Sequence, residues 1–171
     1  MRTAVLAAAV SLALPVVVPV SLLGHAEPAG PPGPTIWVAP VAPVSVVRPF
    51  DPPEQEWSAG HRGVDLMAGP GTVVVAPCAG TVTFAGTVVD RPVLTVGCRD
   101  GLRSSVEPVL ATAAVGDQVE PGDPVGTVVA SAASHCAPDT CLHWGVRRGT
   151  QYLDPMSLLT GAGPIVLLPD P

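Results

Sequence analysis

Three side chains that lie far apart in the sequence could together bind a metal ion: His61, Asp65 and His143. Two imidazoles and one carboxylate suit an open zinc site, in which a water molecule takes the fourth position. Zinc held in this way makes bound water available for hydrolysis near neutral pH. Taken alone the pattern is weak, because His-x3-Asp is common and a histidine such as His143 is often a core residue.

The spacing between His61 and Asp65 constrains the backbone. Residues four apart in a straight strand are separated by about 13 Å, whereas zinc ligands lie about 2 Å from the ion. The chain must therefore bend between them. Gly63 is the residue expected to allow the bend, because glycine reaches backbone conformations closed to other residues.

The chain around these residues divides into four predicted segments. Residues 1–26 have the pattern of a secretion signal, with a positive start, a long apolar run and a small-residue cleavage site. The run is about long enough to span a bilayer, so an N-terminal membrane anchor is the alternative. Residues 27–48 are a predicted proline-rich linker, residues 49–160 the folded domain and residues 161–171 a tail. We expect the protein to be secreted or in the cell envelope.

Short runs rich in valine and threonine, separated by glycine and proline, make up most of the domain. They are predicted strands, at residues 72–76, 80–85, 93–97, 102–107 and 125–130. No long window has helical spacing of apolar residues, and Asp100-Gly101 between two runs is a hairpin signal. We predict an all-β, antiparallel domain that ends in a short helix at residues 156–159.

Charge and composition exclude two classes of function. The chain contains no lysine, so it cannot carry a lipoyl or biotinyl group. It has 14 acidic residues against eight arginines and a formal net charge of −6. An acidic chain with scattered arginines is poorly suited to nucleic acid. We expect a monomer that binds no nucleic acid.

The four cysteines form an even set in a chain expected to be exported, which is typical of disulfides. They are Cys78, Cys98, Cys136 and Cys141, and three pairings are open. We favour Cys78 with Cys98 and Cys136 with Cys141. The second bridge would stabilise the loop that carries His143. A thiolate zinc ligand at Cys141 is the less favoured alternative.

Several motifs occur in an order that resembles the lysostaphin-type zinc metallopeptidases, also called the LytM-like or duplicated hybrid motif family. The resemblance covers residues 49–159, and an ordered set is more specific than any single motif. The motifs are Gly60-His-Arg-Gly-Val-Asp-Leu66, Val75-Ala-Pro before Gly80-Thr-Val82, Val115-Gly-Asp-Gln-Val119, Gly122-Asp-Pro-Val-Gly126 and Leu142-His-Trp144.

The resemblance implies a small antiparallel β core, a barrel-like sandwich with a groove whose floor carries Zn²⁺. It implies that His61, Asp65 and His143 hold the ion and that the substrates are peptides of bacterial peptidoglycan. Trp57 and Trp144 are predicted to line the groove, although packing is the commoner role of such residues.

Two positions depart from the family's pattern. Cys141 stands where the family has the first histidine of a His-x-His pair, and Pro108 replaces a second catalytic histidine. Loss of an acid or base costs about 10²- to 10⁴-fold in rate. His135 and Glu107 are the candidates to supply the missing catalytic group.

The sequence thus predicts an exported zinc metallo-endopeptidase that acts on peptidoglycan. The alternative, favoured by the two missing histidines, is a non-catalytic module that binds the wall or activates a partner cell-wall hydrolase. Arg147 and Arg148 would contact carboxylates of a wall peptide in the first case, but solvated surface arginines are the default interpretation.

Overall fold

The computed structural model describes residues 36–55, 57–131, 134 and 136–159. All of these residues belong to one compact unit. Within these ranges, no helix is long and apolar enough to cross a membrane. The predicted secretion signal, the first part of the predicted linker, the tail and His135 lie outside the described residues.

The described part of the chain is built from β-strands, and a single turn of 3-10 helix follows the last of them. The prediction of an all-β, antiparallel domain is confirmed. The strands are β1 (Val46–Arg48), β2 (Val64–Met67), β3 (Val73–Val75), β4 (Gly80–Val88), β5 (Arg91–Cys98), β6 (Arg103–Glu107), β7 (Val109–Ala111), β8 (Gln118–Val119), β9 (Pro124–Val128), β10 (Cys141–Arg148) and β11 (Gln151–Leu153), followed by the 3-10 helix Pro155–Leu158.

The hairpin between β5 and β6 shows how the local sequence sets the register. Gly101 adopts a φ of +82°, in the left-handed region that glycine tolerates, and Asp100 accepts a hydrogen bond from the backbone N–H of Leu102 at 3.1 Å. The predicted turn therefore forms where expected. It pairs Leu94 with Val106.

Two antiparallel sheets share one hydrophobic core. The larger sheet has the order β1-β2-β10-β6-β5-β4-β8, with β11 paired to β10, and the smaller has the order β3-β9-β7. Valines of β3, β7 and β9 pack in the same buried cluster as side chains of the larger sheet. One face of the larger sheet therefore packs against the core, and the opposite face can carry polar side chains.

Strand β10 lies in the middle of the larger sheet and shows this division most clearly. Leu142, Trp144 and Val146 are fully buried. Because side chains alternate between the faces of a strand, His143 and Arg147 project from the opposite face. This second face carries the candidate site.

The predicted linker is wrong for residues 36–48, which belong to the fold. Trp37 and Val41 are buried in the core, and the indole N–H of Trp37 donates to Asp100 at 3.0 Å. Strand β1 pairs with β2. Proline-rich composition predicts an extended backbone, but this extended segment still gains enough from burying its few large side chains to dock on the sheets.

Candidate metal centre

A row of three polar side chains crosses the middle of the larger sheet. Asp65 on β2 is paired with His143 on β10, and His143 is paired with Glu107 on β6. Directly opposite residues of antiparallel strands project from the same face, with Cβ atoms about 4.5–5.5 Å apart. The sheet register therefore brings together residues 65, 107 and 143.

His61 reaches the same point from the segment before β2. Its backbone N–H and carbonyl both bond to Asp51, in an isolated β-bridge. The chain then bends at Arg62 and Gly63 before β2 begins. The bend expected from the spacing of His61 and Asp65 is present.

The three candidate ligand atoms lie close together. Oδ1 of Asp65 is 2.8 Å from Nδ1 of His143 and 3.1 Å from Nε2 of His61. The two histidine nitrogens are 3.2 Å apart. A tetrahedral ion with bonds of about 2.0–2.1 Å holds its ligand atoms about 3.3 Å apart. Asp65 is fully buried and His143 is partly open, so the centre is accessible from the side of His143.

The tautomer of His61 supports a cation at this point. Nδ1 of His61 lies 2.7 Å from the carbonyl oxygen of Pro49. A carbonyl can only accept, so Nδ1 is the donor of this bond, and Nε2 is the ring nitrogen that faces the Asp65 carboxylate. In the tautomer protonated only at Nδ1, Nε2 has the lone pair that a positive ion between the two side chains requires. The residues fit a zinc ion, and Pro49 orients the first ligand.

Gly63 serves close packing rather than an unusual backbone angle, which corrects the expected reason for the glycine. Its φ lies outside the left-handed region. A Cβ atom at this position would lie 2.7 Å from Cε1 of His143 and would also collide with the carbonyl oxygen of Trp144. Only a residue without a side chain at position 63 allows His143 and Trp144 of β10 to lie this close to its backbone.

We expect Gly63→Ala to destabilise the fold by about 1–3 kcal/mol, because the added methyl group overpacks the site. Displacement of His143 should also weaken zinc binding. Denaturant unfolding and chelator competition measure the two effects. Gly69→Ala is the matched control, since nothing lies within 4 Å of a Cβ at Gly69. Equal zinc affinities in the two variants would contradict this role of Gly63.

Glu107 is held by an arginine that sequence reasoning missed. Nε of Arg91 donates to Oε1 of Glu107 at 2.7 Å. This hydrogen bond raises the pKa of Arg91 further above its ordinary value, so the guanidinium stays charged. The hairpin register could have predicted this contact. When the β5–β6 pairing is extended by one residue, Glu107 lies opposite Val93. Arg91 is then the diagonal neighbour of Glu107 on the same face.

Two disulfides have the pairing favoured from the sequence, Cys78 with Cys98 and Cys136 with Cys141. The second lies beside the centre, because its two sulfur atoms and a carboxylate oxygen of Asp65 are all within 4.8 Å of one another. With both sulfurs in the bridge, neither offers a thiolate ligand. The bridge instead ties the preceding loop to the start of β10, the strand that carries His143.

The two tryptophans predicted to line a groove have different positions. Trp57 is 82% exposed and lines a recess together with Tyr152. The prediction is wrong for Trp144, which is fully buried and donates its indole N–H to Ser104 at 2.9 Å. Trp144 follows a groove-facing residue on β10, so the alternation of the strand turns it to the core.

The candidate metal centre opens into a cavity of about 430 Å³. Glu107, His61 and His143 line it, and Gly145 leaves space where another residue would place a side chain. The remaining lining includes Arg48, Arg62, Arg91, Ser105, Arg147 and Tyr152. The cavity is polar, and among its described lining residues the acidic or basic side chains other than Glu107 are arginines.

These features define an all-β protein with a candidate metal centre of two histidines and one carboxylate, set in a groove. The model of peptidase family M23 matches residues 59–155. The chain belongs to this family, and the family assignment inferred from the ordered motifs is confirmed.

Relatives and solved structures agree with this assignment. Uncharacterized proteins of Mycobacterium tuberculosis and Mycobacterium bovis are each 43% identical over 133 residues, which is 74% of this chain and 52% of theirs. The chain thus spans about half the length of these relatives. The fold is similar to the NMR structure of lysostaphin, with a TM-score of 0.57, 22% identity and coverage of 75% of this chain and 57% of that one.

Two further solved structures share the fold. One is the catalytic domain of a mutant of the prophage-encoded M23 protein EnpA from Enterococcus faecalis, with a TM-score of 0.57, 23% identity and coverage of 73% of this chain and 98% of that one. The other is the complex of SpoIIIAH and SpoIIQ, with a TM-score of 0.61, 22% identity and coverage of 72% and 99%.

Proposed function

We propose that the protein is an exported zinc metallo-endopeptidase that cleaves peptide bonds of bacterial peptidoglycan. The observation that carries the proposal is the row of Asp65, His143 and Glu107, completed by His61, at the floor of an open groove. Membership of peptidase family M23 supports it. The apolar run near the N-terminus supports export.

His61, Asp65 and His143 would hold the ion. Zinc bound there would polarise the carbonyl of the scissile bond and lower the pKa of a water molecule. Glu107 lies one strand away from His143 on the same face, and in this proposal it accepts the proton of the attacking water. It would then return that proton to the leaving amine, as a general acid–base residue does.

Arg91 acts on this reaction through Glu107. The hydrogen bond at 2.7 Å fixes the direction of the carboxylate, and a second bond at 3.2 Å anchors the guanidinium to Asp90. Arg91 is therefore a positioning residue. In this proposal, the Arg91–Glu107 pair takes the place of the histidine that Pro108 replaces.

The proposal is tested by release of new amino groups from purified peptidoglycan. The mature, oxidised protein is loaded with zinc and compared with His143→Ala and with chelator-treated protein. We expect release that depends on zinc and is lost in His143→Ala, because that variant lacks one of three ligands. Release that persists in the variant or without metal would contradict the proposal.

The second candidate function is that of a non-catalytic module of the same fold, which binds the wall or activates a partner cell-wall hydrolase. The observation that favours it is Cys141, which is buried and bound to Cys136 where the family has a histidine. The SpoIIIAH–SpoIIQ complex, whose fold is similar, is itself a protein assembly. Wall binding without any amino-group release would select this function.

A further inference from the structure

We propose that the groove carries a carboxylate-binding subsite, centred on Arg147, that selects peptides with free acidic groups. The proposal deepens the peptidase function and rests on it for the nature of the ligand as a wall peptide. It requires a positive surface beside the metal centre, a recess to receive the ligand, and an arginine that forms no ion pair with a carboxylate of the described residues.

The charge around the metal centre is opposite to that of the whole chain. The net charge is −6, yet four of the eight arginines line the cavity above the candidate ligands. Among the described residues of that lining, Glu107 is the one acidic residue, and its partner is Arg91. The other described acidic residues lie outside the lining, so the described part of the groove wall carries more positive than negative side chains before any metal ion is counted.

Arg147 occupies a position that is unfavourable without an anion. It projects from the groove face of β10, paired with Arg103 on one side and Tyr152 on the other. Like charges directly opposite on neighbouring strands destabilise a sheet. No ion pair joins Arg147 or Arg103 to a carboxylate of the described residues. An anion bound at Arg147 would relieve this repulsion.

A shallow, open recess lies beside Arg147. It measures about 450 Å³ and is lined by Trp57, Thr150, Arg62, Arg147 and Tyr152. The last three also line the metal cavity, so the two spaces adjoin. A peptide with its scissile bond at the metal centre would place a neighbouring residue in the recess.

Two contacts fix the position of Arg62 in the recess. Its guanidinium lies 5.8 Å from the centre of the Tyr152 ring and donates to the backbone carbonyl of Ser58 at 3.1 Å. A second guanidinium is therefore held beside Arg147. Guanidinium groups bind carboxylates through two parallel hydrogen bonds, which an amidated or glycine-only peptide cannot accept in the same way.

The test measures binding without turnover, in the full-length, zinc-loaded Glu107→Gln protein. The two probes are a short peptide of alanine and glutamate with free carboxylates, and the same peptide with every carboxylate amidated. We expect the free-acid peptide to bind about 10- to 100-fold more tightly, as for a hydrogen bond to a charged group. Arg147→Gln should remove most of this difference.

Arg148→Gln is the matched control, because it removes the same charge from the next residue of β10, which is exposed and lines neither space. Arg147→Lys retains the charge without the planar fork and should keep only part of the preference. Equal binding of the two peptides, or equal losses in Arg147→Gln and Arg148→Gln, would overturn the subsite. Carboxylate-dependent binding in a protein that never releases amino groups would support the subsite and contradict the peptidase.

Discussion

Glu107→Gln should lower kcat by about 10²- to 10⁴-fold, the usual loss when a general base is removed. The substitution preserves the size of the side chain and leaves a carbonyl oxygen that can still accept from Nε of Arg91. It removes only the ability to take a proton. Zinc affinity should stay within a few fold of the original, because Glu107 is not among the three candidate ligands. Amino-group release and chelator competition measure the two quantities.

The control for this variant is Glu120→Gln. Glu120 also pairs with an arginine, Arg99, at 2.6 Å, but this exposed pair lies outside the cavity. We expect its kcat to be unchanged. If Glu107→Gln kept more than about a tenth of kcat, the general-base role would be wrong. A large loss in His135→Ala would then move that role to His135, the other candidate from the sequence.

Asp65→Asn should weaken zinc binding by at least about 100-fold. Removal of a residue that only hydrogen-bonds to a metal ligand costs about 10- to 100-fold in metal affinity, and loss of a ligand itself should cost more. The side chain keeps its size but loses the negative charge that Oδ1 presents to both histidines. Zinc that binds only the folded protein stabilises it by RT ln(1 + c/Kd), which is about 2.7 kcal/mol when the free zinc concentration c is 100 times Kd. The zinc-dependent rise in Tm should therefore disappear in the variant.

Asp51→Asn provides the comparison for this experiment. Asp51 bonds to His61 through backbone atoms, and its side chain is exposed. It should keep both the zinc-dependent rise in Tm and the enzymatic activity. A rise in Tm of equal size in Asp65→Asn would show that Asp65 does not bind the metal, and the row of Asp65 and His143 would then need another explanation.

Much of the fold could be predicted because its signals are local. Valine- and threonine-rich runs between glycines and prolines favour strands over helices, and Asp100-Gly101 sets a hairpin by its own backbone preference. The candidate ligands follow from the ordered motifs that resemble the lysostaphin-type family, which single out two of the four histidines and one of the 14 acidic residues. These predictions needed no knowledge of which strand lies beside which.

The errors share a different cause. The proline-rich composition of residues 36–48 predicts a linker, yet Trp37 and Val41 are buried in a core to which both sheets contribute. The sequence predicts Trp144 in the groove beside His143, because its pattern does not predict the strand that carries both residues. The structure turns neighbouring residues of β10 to opposite faces.

The sequence by itself determined the strand-forming pattern, the turns and the chemical types available for a metal centre. The tertiary structure decided that Arg91 orients Glu107 and that Arg147 lies in a recess next to the candidate ligands. These relations depend on strand order and register. A shift of one residue in register moves every side chain of a strand to the other face, so only the assembled sheet determines which residues meet.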